Sequence, residues 1–518
     1  MPSAKQWTLV ATIVASSMTF IDGTVVNVAL PALQKRFGAT ITEVQWVVEA
    51  YTLFLGALLL VGGSIGDQLG RKRVFLGGVI LFTLASVLCG LAPTPTILIA
   101  ARAVQGIGAA FLVPGSLAII AATFDGEARG RAIGTWSGFS AITTAIGPVA
   151  GGWLVEHASW RAAFFINVPL AAIVLLLSLR YMQETRDTTR AGALDWTGAA
   201  LTVLGLSGIV YGLLQWPTLG GSHPLVIGSL VLGLVLLWML IVVERRVANP
   251  MLNLELFRSR TFALANVLTL FLYGALAMMM FLVPLELIEV RGYSATVAGA
   301  AMLPFPIILF ALSRWSGGLV SRVGHRLPLT IGPAVAALGI GLVAFAGGAR
   351  GRSLWTTLIP AIGVIALGMA ITVAPLTTTL MNAVESAHSG VASGINNAVS
   401  RVAGLVAIAV FGVVLSQSFQ SRVMPRLDRL SLPPAAHAAI AGELRKMAGA
   451  DVDSIPSLPN ERRVAVREAI DISFDSAFRI VMAWLAALAV GAALVGAAMV
   501  DQSGEIRRTS TRALMEVR

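Results

Sequence analysis

Long apolar runs alternate with short polar joints along the whole chain. Residues 7–33, 43–65, 74–93, 96–123, 130–155 and 162–182 form a first set of six. Residues 195–216 and 224–243 follow as a pair. Residues 262–290, 295–319, 327–347, 353–380, 390–415 and 474–500 complete the pattern. A helix needs roughly 20 apolar residues to cross a hydrocarbon core about 30 Å thick. By that rule the pattern predicts about fourteen transmembrane helices. Gly, Pro and charge mark the joints. Two polar stretches stand apart. Residues 183–194 read as a linker. Residues 416–473 read as a long loop, with Pro433, Pro434, Pro456 and Pro459 as breakers. Inside that loop a short surface helix is predicted over Ala435–Ala448, and another helix from about Asn460 runs into the last span.

Composition agrees with this class. The chain has 518 residues, of which 56% are hydrophobic and 12% charged, about half the roughly 25% charge of a soluble domain. Mean hydropathy is +0.82. The alternation of a transmembrane barrel is missing. The net charge of +11 is spread over short loops, which marks topology and not a nucleic-acid partner. The single cysteine, Cys89, can build neither a disulfide nor a thiolate metal site. The first run continues through Asp22 and Asn27 to Pro31, too long and too polar for a cleaved signal, so it reads as a retained helix.

Basic residues fix an expected orientation. With the N-terminus inside, the inner loops hold Arg71, Lys72, Arg73, Arg129, Arg131, Arg186, Arg190, Arg245, Arg246, Arg258, Arg260, Arg322 and Arg326. The short outer loops hold only Lys35, Arg36, Arg161, Arg291, Arg350 and Arg352. The 416–473 loop then lies outside, and the tail with Arg507 and Arg508 lies inside.

Residues 63–73 read Gly-Ser-Ile-Gly-Asp-Gln-Leu-Gly-Arg-Lys-Arg, between the second and third spans. A weaker copy, Gly-Gly-Leu-Val-Ser-Arg-Val-Gly-His-Arg-Leu, begins at Gly317. Both follow the second span of a six-span set once spans seven and eight are taken as an insertion. Parallel six-helix halves are a transporter plan, with substrate bound near the midplane between them.

The ordered motifs resemble the major facilitator superfamily, and within it the fourteen-helix drug/proton antiporter branch (the EmrB/QacA-like group). Gly63, Asp67, Gly70, Arg71 and Lys72 match the superfamily's inner-loop signature. Asp22-Gly-Thr-Val-Val-Asn27-Val-Ala-Leu-Pro31 is similar to the branch's first-helix motif, and Arg102-Ala-Val-Gln-Gly106-Ile-Gly108 to its fourth-helix motif. Gly138 with Gly147-Pro148-Val-Ala-Gly151-Gly152 resembles the antiporter signature of the fifth helix. Trp160-Arg161 and Phe165-Ile-Asn-Val-Pro169 follow in order. The resemblance covers essentially the whole chain. It implies an all-α integral membrane protein of the major facilitator fold, with two six-helix bundles and two inserted helices. The division would be 1–182, 183–260, 261–500 with the outer loop 416–473, and a cytoplasmic tail 501–518.

Each charged motif also has a reading of its own. Asp22 lies about 15 residues into its span, near mid-membrane at about 1.5 Å per residue. A charge there costs at least about 2.5 kcal/mol and mostly faces a cavity. Asp22 is the first candidate proton carrier; the alternative is a carboxylate permanently paired with an arginine. Glu49 is a second proton or cation candidate, or an interfacial carboxylate wetted from outside. Trp46 and Tyr51 on the same helix read as interfacial aromatics. Arg102 cannot give up its proton, but it can tune or hold a carboxylate, the coupling role that the resemblance implies; otherwise it snorkels to the interface. Arg401, near mid-membrane with Asn396 and Asn397 beside it, lines a polar pathway or bridges helices of the second half.

Asp67 and Arg71 stand four residues apart on the inner loop. The resemblance implies a latch there that closes the inner face, with the helix N-terminus near Ser389 and Gly390 as candidate partner. Ser321 replaces the aspartate in the second copy, which weakens any equivalent. Gly147, Pro148, Gly151 and Gly152 suit a kinked, close-packed helix. Glu286 departs from the branch; with Glu289 it favours cationic substrates or pairs with Arg291. The candidate substrate cavity is therefore Asp22, Asn27, Asn396, Asn397, Arg401 and Glu286.

No lysine follows a glycine, so no Gly-Lys-Ser/Thr phosphate loop exists and ATP use is not expected. The five histidines show no metal-ligand spacing, and no catalytic signature occurs. The expectation is a proton-coupled exporter of small amphipathic compounds in the cell membrane. It is not an enzyme and needs no cofactor; its partners are a small-molecule substrate, protons and lipid, with an adaptor on the 416–473 loop left open. A proton-coupled metabolite symporter is the alternative on the same fold. A non-transporting receptor or scaffold is the alternative of another class, with little use for Asp22, Arg102 and Arg401.

Overall fold

The computed structural model describes residues 3–186, 195–247, 252, 254–346, 353–384, 389–430 and 432–499. Arg190, Arg350, Arg352, most of the 183–194 linker and the 501–518 tail lie outside the described residues. Among the described residues, fourteen helices are long and apolar enough to cross a membrane. They are α1 (Ala4–Phe37), α2 (Ile41–Leu69), α3 (Arg71–Leu91), α4 (Pro95–Thr123), α5 (Arg131–His157), α6 (Ala162–Tyr181), α7 (Trp196–Leu219) and α8 (Pro224–Glu244). The second half follows as α9 (Arg260–Val290), α10 (Ala295–Leu312), α11 (Arg326–Phe345), α12 (Leu358–Asn382), α13 (Val391–Asp428) and α14 (Asn460–Ala497).

Local chemistry sets the ends. Ser3 caps α1 in a reciprocal box with Gln6, and Thr40 caps α2 in the same way with Glu43. Gly38, at φ 61°, ends α1 in the left-handed conformation that glycine adopts without steric cost. Thr94 caps α4, and Pro95 takes its first turn.

α1–α6 pack as one bundle and α9–α14 as another. The inserted pair α7–α8 packs on itself, and α7 lies against both α2 and α13, one helix from each half. Leu53 and Ala57 of α2 share an apolar cluster there with Leu206, Val210 and Leu214 of α7 and Leu405 of α13. The insertion therefore sits on the seam between the halves.

The spans alternate between two faces. The 63–73 turn and its copy at Gly317 share one, called the hinge face here. The opposite, cap face carries residues 429–430 and 432–459. Here the structure departs from the loop reading in one part: α13 continues in helix to Asp428. α14 starts at Asn460, where the sequence places its beginning. Between them, Pro434–Glu443 forms a short helix and Leu444–Gly449 a tighter turn. Ile440, Val452, Ile455 and Leu458 bury a small core with Val466 and Ile470 of α14. The cap touches the first half as well, since Gln34 of α1 donates its side-chain amide to the Lys446 carbonyl at 2.9 Å. On the other side, Arg467 donates to the Glu289 carbonyl at 2.7 Å.

Two spans are irregular. α9 ends in a π-helical turn over Glu286–Val290. α10 breaks after Ala301 and restarts at Pro304, which lacks the amide hydrogen needed to continue the ladder.

Candidate functional site

Five helices converge on Asp22. Asp22 is fully buried and Arg102 of α4 is 1% exposed. Arg102 Nη1 donates to Asp22 Oδ2 at 2.5 Å and to Gln105 Oε1 at 2.8 Å. Arg102 Nε donates to the Val47 carbonyl of α2 at 3.0 Å. The other Asp22 oxygen, Oδ1, accepts from Gln105 Nε2 at 2.8 Å and from Asn167 Nδ2 of α6 at 3.3 Å. Ser86 of α3 accepts from Asn167 at 2.9 Å and donates to the Phe164 carbonyl at 2.9 Å. Cys89 Sγ lies 3.6 Å from Gln105 Oε1. The Tyr51 ring covers the guanidinium, 4.2 Å from ring centroid to Cζ.

The fourth-helix motif explains this convergence. A side chain at Gly106 would strike the Tyr51 carbonyl on α2, and one at Gly108 would strike the Phe82 backbone on α3. The glycines let α4 press against both neighbours. Arg102 and Gln105, one turn back toward the cap, then reach Asp22. The polar groups are closely satisfied, as a low-dielectric site demands. Asn167 Oδ1 is an exception: it is buried without a partner. Chemically the cluster offers one carboxylate able to gain and lose a proton, one fixed cation, and amides that hold them in place.

Glu49 lies elsewhere. It is fully buried, and neither of its carboxylate oxygens has a hydrogen-bond partner. Helical spacing puts it on the same face as Gln45 and Gly56. Gln45 donates to the Ile408 carbonyl of α13 at 3.4 Å, and Gly56 packs against the Arg401 side chain. Glu49 therefore belongs to the α2–α13 seam and is not wetted from the surface. Tyr51 is likewise buried, at 4% exposure, and not an interfacial residue.

The remaining candidates are dispersed. Asn396 donates to Thr269 Oγ1 at 2.7 Å and to Asn266 Oδ1 at 3.3 Å, tying α13 to α9. Asn397 is exposed and bonds its own helix at the Ser393 carbonyl. Asn27 is half-buried, and its buried Oδ1 has no partner. Glu286 is 2% exposed and accepts from Arg291 Nε at 2.7 Å, the pairing alternative.

On the hinge face, Arg71 Nε donates to Asp67 Oδ1 at 2.9 Å. Gly70, at φ 112°, turns the chain between α2 and α3, and a side chain there would strike the Glu184 carboxylate. Glu184 accepts the backbone amides of Lys72 at 3.0 Å and Arg73 at 3.2 Å. Lys72 Nζ donates to the Met182 carbonyl at 2.7 Å, just past α6. The turn is thus clamped onto its own half.

α5 packs on both halves. Gly147 lies against Thr24 and Gly151 against Val25 of α1, while Gly152 lies against Ala295 and Thr296 of α10. Gly138 faces Phe310. Gly299 of α10 packs on the Pro148 carbonyl. Glu156 accepts from Thr296 Oγ1 at 2.5 Å and bridges the cap-face end of this seam. Among the described residues, no group of three His, Cys, Asp or Glu side chains is placed to hold a metal ion.

The structure thus brings Asp22 and Arg102 together and keeps Glu49, Asn27, Asn396, Asn397, Arg401 and Glu286 out of their cluster. Arg102 does not snorkel. Gln105, Asn167, Ser86 and Tyr51 are partners that charge-based reading passed over, although Gln105 and Asn167 stand inside motifs quoted above.

A family model described as Major Facilitator Superfamily matches residues 12–408. The chain belongs to the Major Facilitator Superfamily. Similar members include "Multidrug resistance protein Stp" of Mycobacterium tuberculosis, 35% identical over 84% of this chain and 80% of that protein. The "Tetracenomycin C resistance and export protein" of Streptomyces glaucescens is 29% identical over 95% of this chain and 91% of that one. The "Drug efflux pump JefA" of M. tuberculosis is 29% identical over 96% and 98%. Among solved structures, a bacterial homologue of the human lysosomal transporter Spinster, in an inward-facing and occupied conformation, matches with a TM-score of 0.65. At 16% identity over 96% of this chain and 97% of that one, it shares the major facilitator fold. The protein is a multi-pass member of this superfamily, whose members transport small molecules.

Proposed function

We propose that the protein exports small amphipathic drugs from the cell in exchange for protons, by alternating access between its two six-helix bundles. The observation that carries this is the Asp22 carboxylate, buried in the first bundle against Arg102 and braced by Gln105 and Asn167. The names of the relatives, drug resistance and efflux proteins, support the direction of transport.

In this reading Asp22 carries the proton, and Glu49 is the second candidate. Ionised Asp22 draws Arg102 between α1 and α4 and ties both to the α2 backbone through Val47. Protonation removes the anion, so Arg102 loses its strongest partner while keeping the Val47 and Gln105 oxygens. The packing of α1 against α4 and α2 then loosens, and the bundles rock. Substrate occupies the space between the halves, with Asn27, Asn396, Asn397 and Arg401 as candidate contacts. Asp67, Arg71 and Lys72 latch the hinge face in the alternate state, and Gly63 and Gly70 give the turn its shape. The glycines of α5 keep the cap-face seam sealed while the hinge face is open.

The hinge face is cytoplasmic in this reading, and so are both termini, because Lys and Arg collect there. The chain works in the cell membrane without ATP or a cofactor, and it transforms no substrate chemically. Its functional division is 1–182, 183–260, 261–500 and a 501–518 tail. Any adaptor protein would meet the cap. A compound panel on cells with and without the gene, repeated with the proton gradient collapsed, tests the reading. Gene-dependent resistance that vanishes on collapse is the expected result; resistance that survives collapse would rule out proton coupling.

A further inference from the structure

We propose that the substrate path between the two halves selects compounds carrying a negative charge, such as carboxylates or acidic phenols, and that Arg401 is the residue that holds that group. The inference rests on the export reading above and names its substrate class. Asp22, Glu49, Arg102 and Arg401 are the charged side chains deep within the spans. Asp22 and Arg102 cancel each other in a closed cluster. Glu49 is completely occluded in the α2–α13 seam. At the cap end, Glu286 is neutralised by Arg291, with both side chains under cover. The carboxylates of Asp22, Glu49 and Glu286 are therefore compensated or out of reach.

Arg401 is different. It is half-buried and, among the described residues, makes no hydrogen bond or ion pair. Its stem packs on Gly56 of α2, so it sits where the two halves face each other. On α1, Gly23 is exposed with open space where a side chain would stand. Asn397, one turn from Arg401, is exposed as well. An uncompensated guanidinium at mid-membrane depth is costly until an anion meets it. Its planar fork fits a carboxylate in two parallel hydrogen bonds. A cationic drug would be repelled by the same charge.

The test uses two amphipathic fluorophores of similar size, one a carboxylate and one a quaternary amine, in vesicles energised by a pH gradient. Wild type should export the carboxylate with the higher kcat/KM. Arg401→Gln should lower the ratio of carboxylate to amine export by about tenfold or more, the scale of one lost charge-assisted bond, and Arg401→Lys should restore part of it. A ratio unchanged in Arg401→Gln, with both substrates slowed alike, would make Arg401 a structural residue and overturn the proposal. So would wild-type preference for the amine, while leaving the export reading standing. Transport of neither probe by wild type would count against both.

Discussion

Replacing Arg102 with Met strands the Asp22 carboxylate inside the first bundle. It loses its 2.5 Å partner and keeps the amides of Gln105 at 2.8 Å and Asn167 at 3.3 Å. Breaking a buried pair by removing one member typically costs about 3–5 kcal/mol. The surviving amides cannot neutralise the charge, so the loss should fall at the upper end of that range. Asp22→Asn should cost less, since Arg102 keeps the Val47 carbonyl and Gln105 Oε1. The double variant Asp22→Asn/Arg102→Met removes both charges and should be more stable than Arg102→Met alone. The coupling energy should approach about 3 kcal/mol, the high end for side chains in contact. Denaturant unfolding of the four proteins in detergent, followed by tryptophan fluorescence, closes the cycle. A coupling below about 0.5 kcal/mol, the level for independent sites, would refute the claim that these two charges act as a unit.

Asn167→Leu should destabilise the protein by about 1–3 kcal/mol, because Asp22 and Ser86 each lose a buried donor; an unchanged unfolding midpoint would contradict this. Gly152→Val drives a side chain into the Ala295 carbonyl, so the cap-face seam should fail to close. A Glu156→Cys/Thr296→Cys pair spans that seam and should cross-link in the parent but not in the valine variant. Cys89 is buried and should contribute little background. Gln34→Ala leaves the Lys446 carbonyl without its donor and should cut the same cross-link by roughly 5–30-fold, the equivalent of 1–2 kcal/mol; equal cross-linking would show that the cap does not help close this face. Asp67→Asn removes an ion pair whose members are each 19% exposed, so stability should change by no more than about 1 kcal/mol while transport falls. Normal transport in that variant would reduce the turn to a topology signal.

The spans were legible because apolar runs of membrane length have few other uses, and Asp22 and Arg102 stood out because charge in such runs is costly. Their pairing was not legible, for they lie 80 positions apart and meet only because glycines let α4 close on its neighbours. Gln105 and Asn167 looked like ordinary amides, and nothing in their spacing says that both point at one carboxylate. Polarity made residues 416–428 look like the start of a loop, yet α13 continues through them, since polar residues suit a helix as well as a turn; the helix from Asn460 was legible. Glu286 and Arg291 are five apart, a spacing that an α-helix separates and the π turn brings together. Glu49 carried the opposite ambiguity. The sequence left it either a proton or cation site or a carboxylate wetted from outside, and only the packing of α2 on α13 closes it off from water.

Purified protein in liposomes, loaded with a pH-sensitive dye and given an exported compound, tests the central claim most directly. Substrate addition should drive proton movement in the opposite direction in wild type, and substrate should accumulate against its own gradient when a pH difference is imposed. Asp22→Asn should bind and exchange substrate without moving protons or accumulating it. Proton-driven accumulation at the wild-type rate in Asp22→Asn would contradict the account.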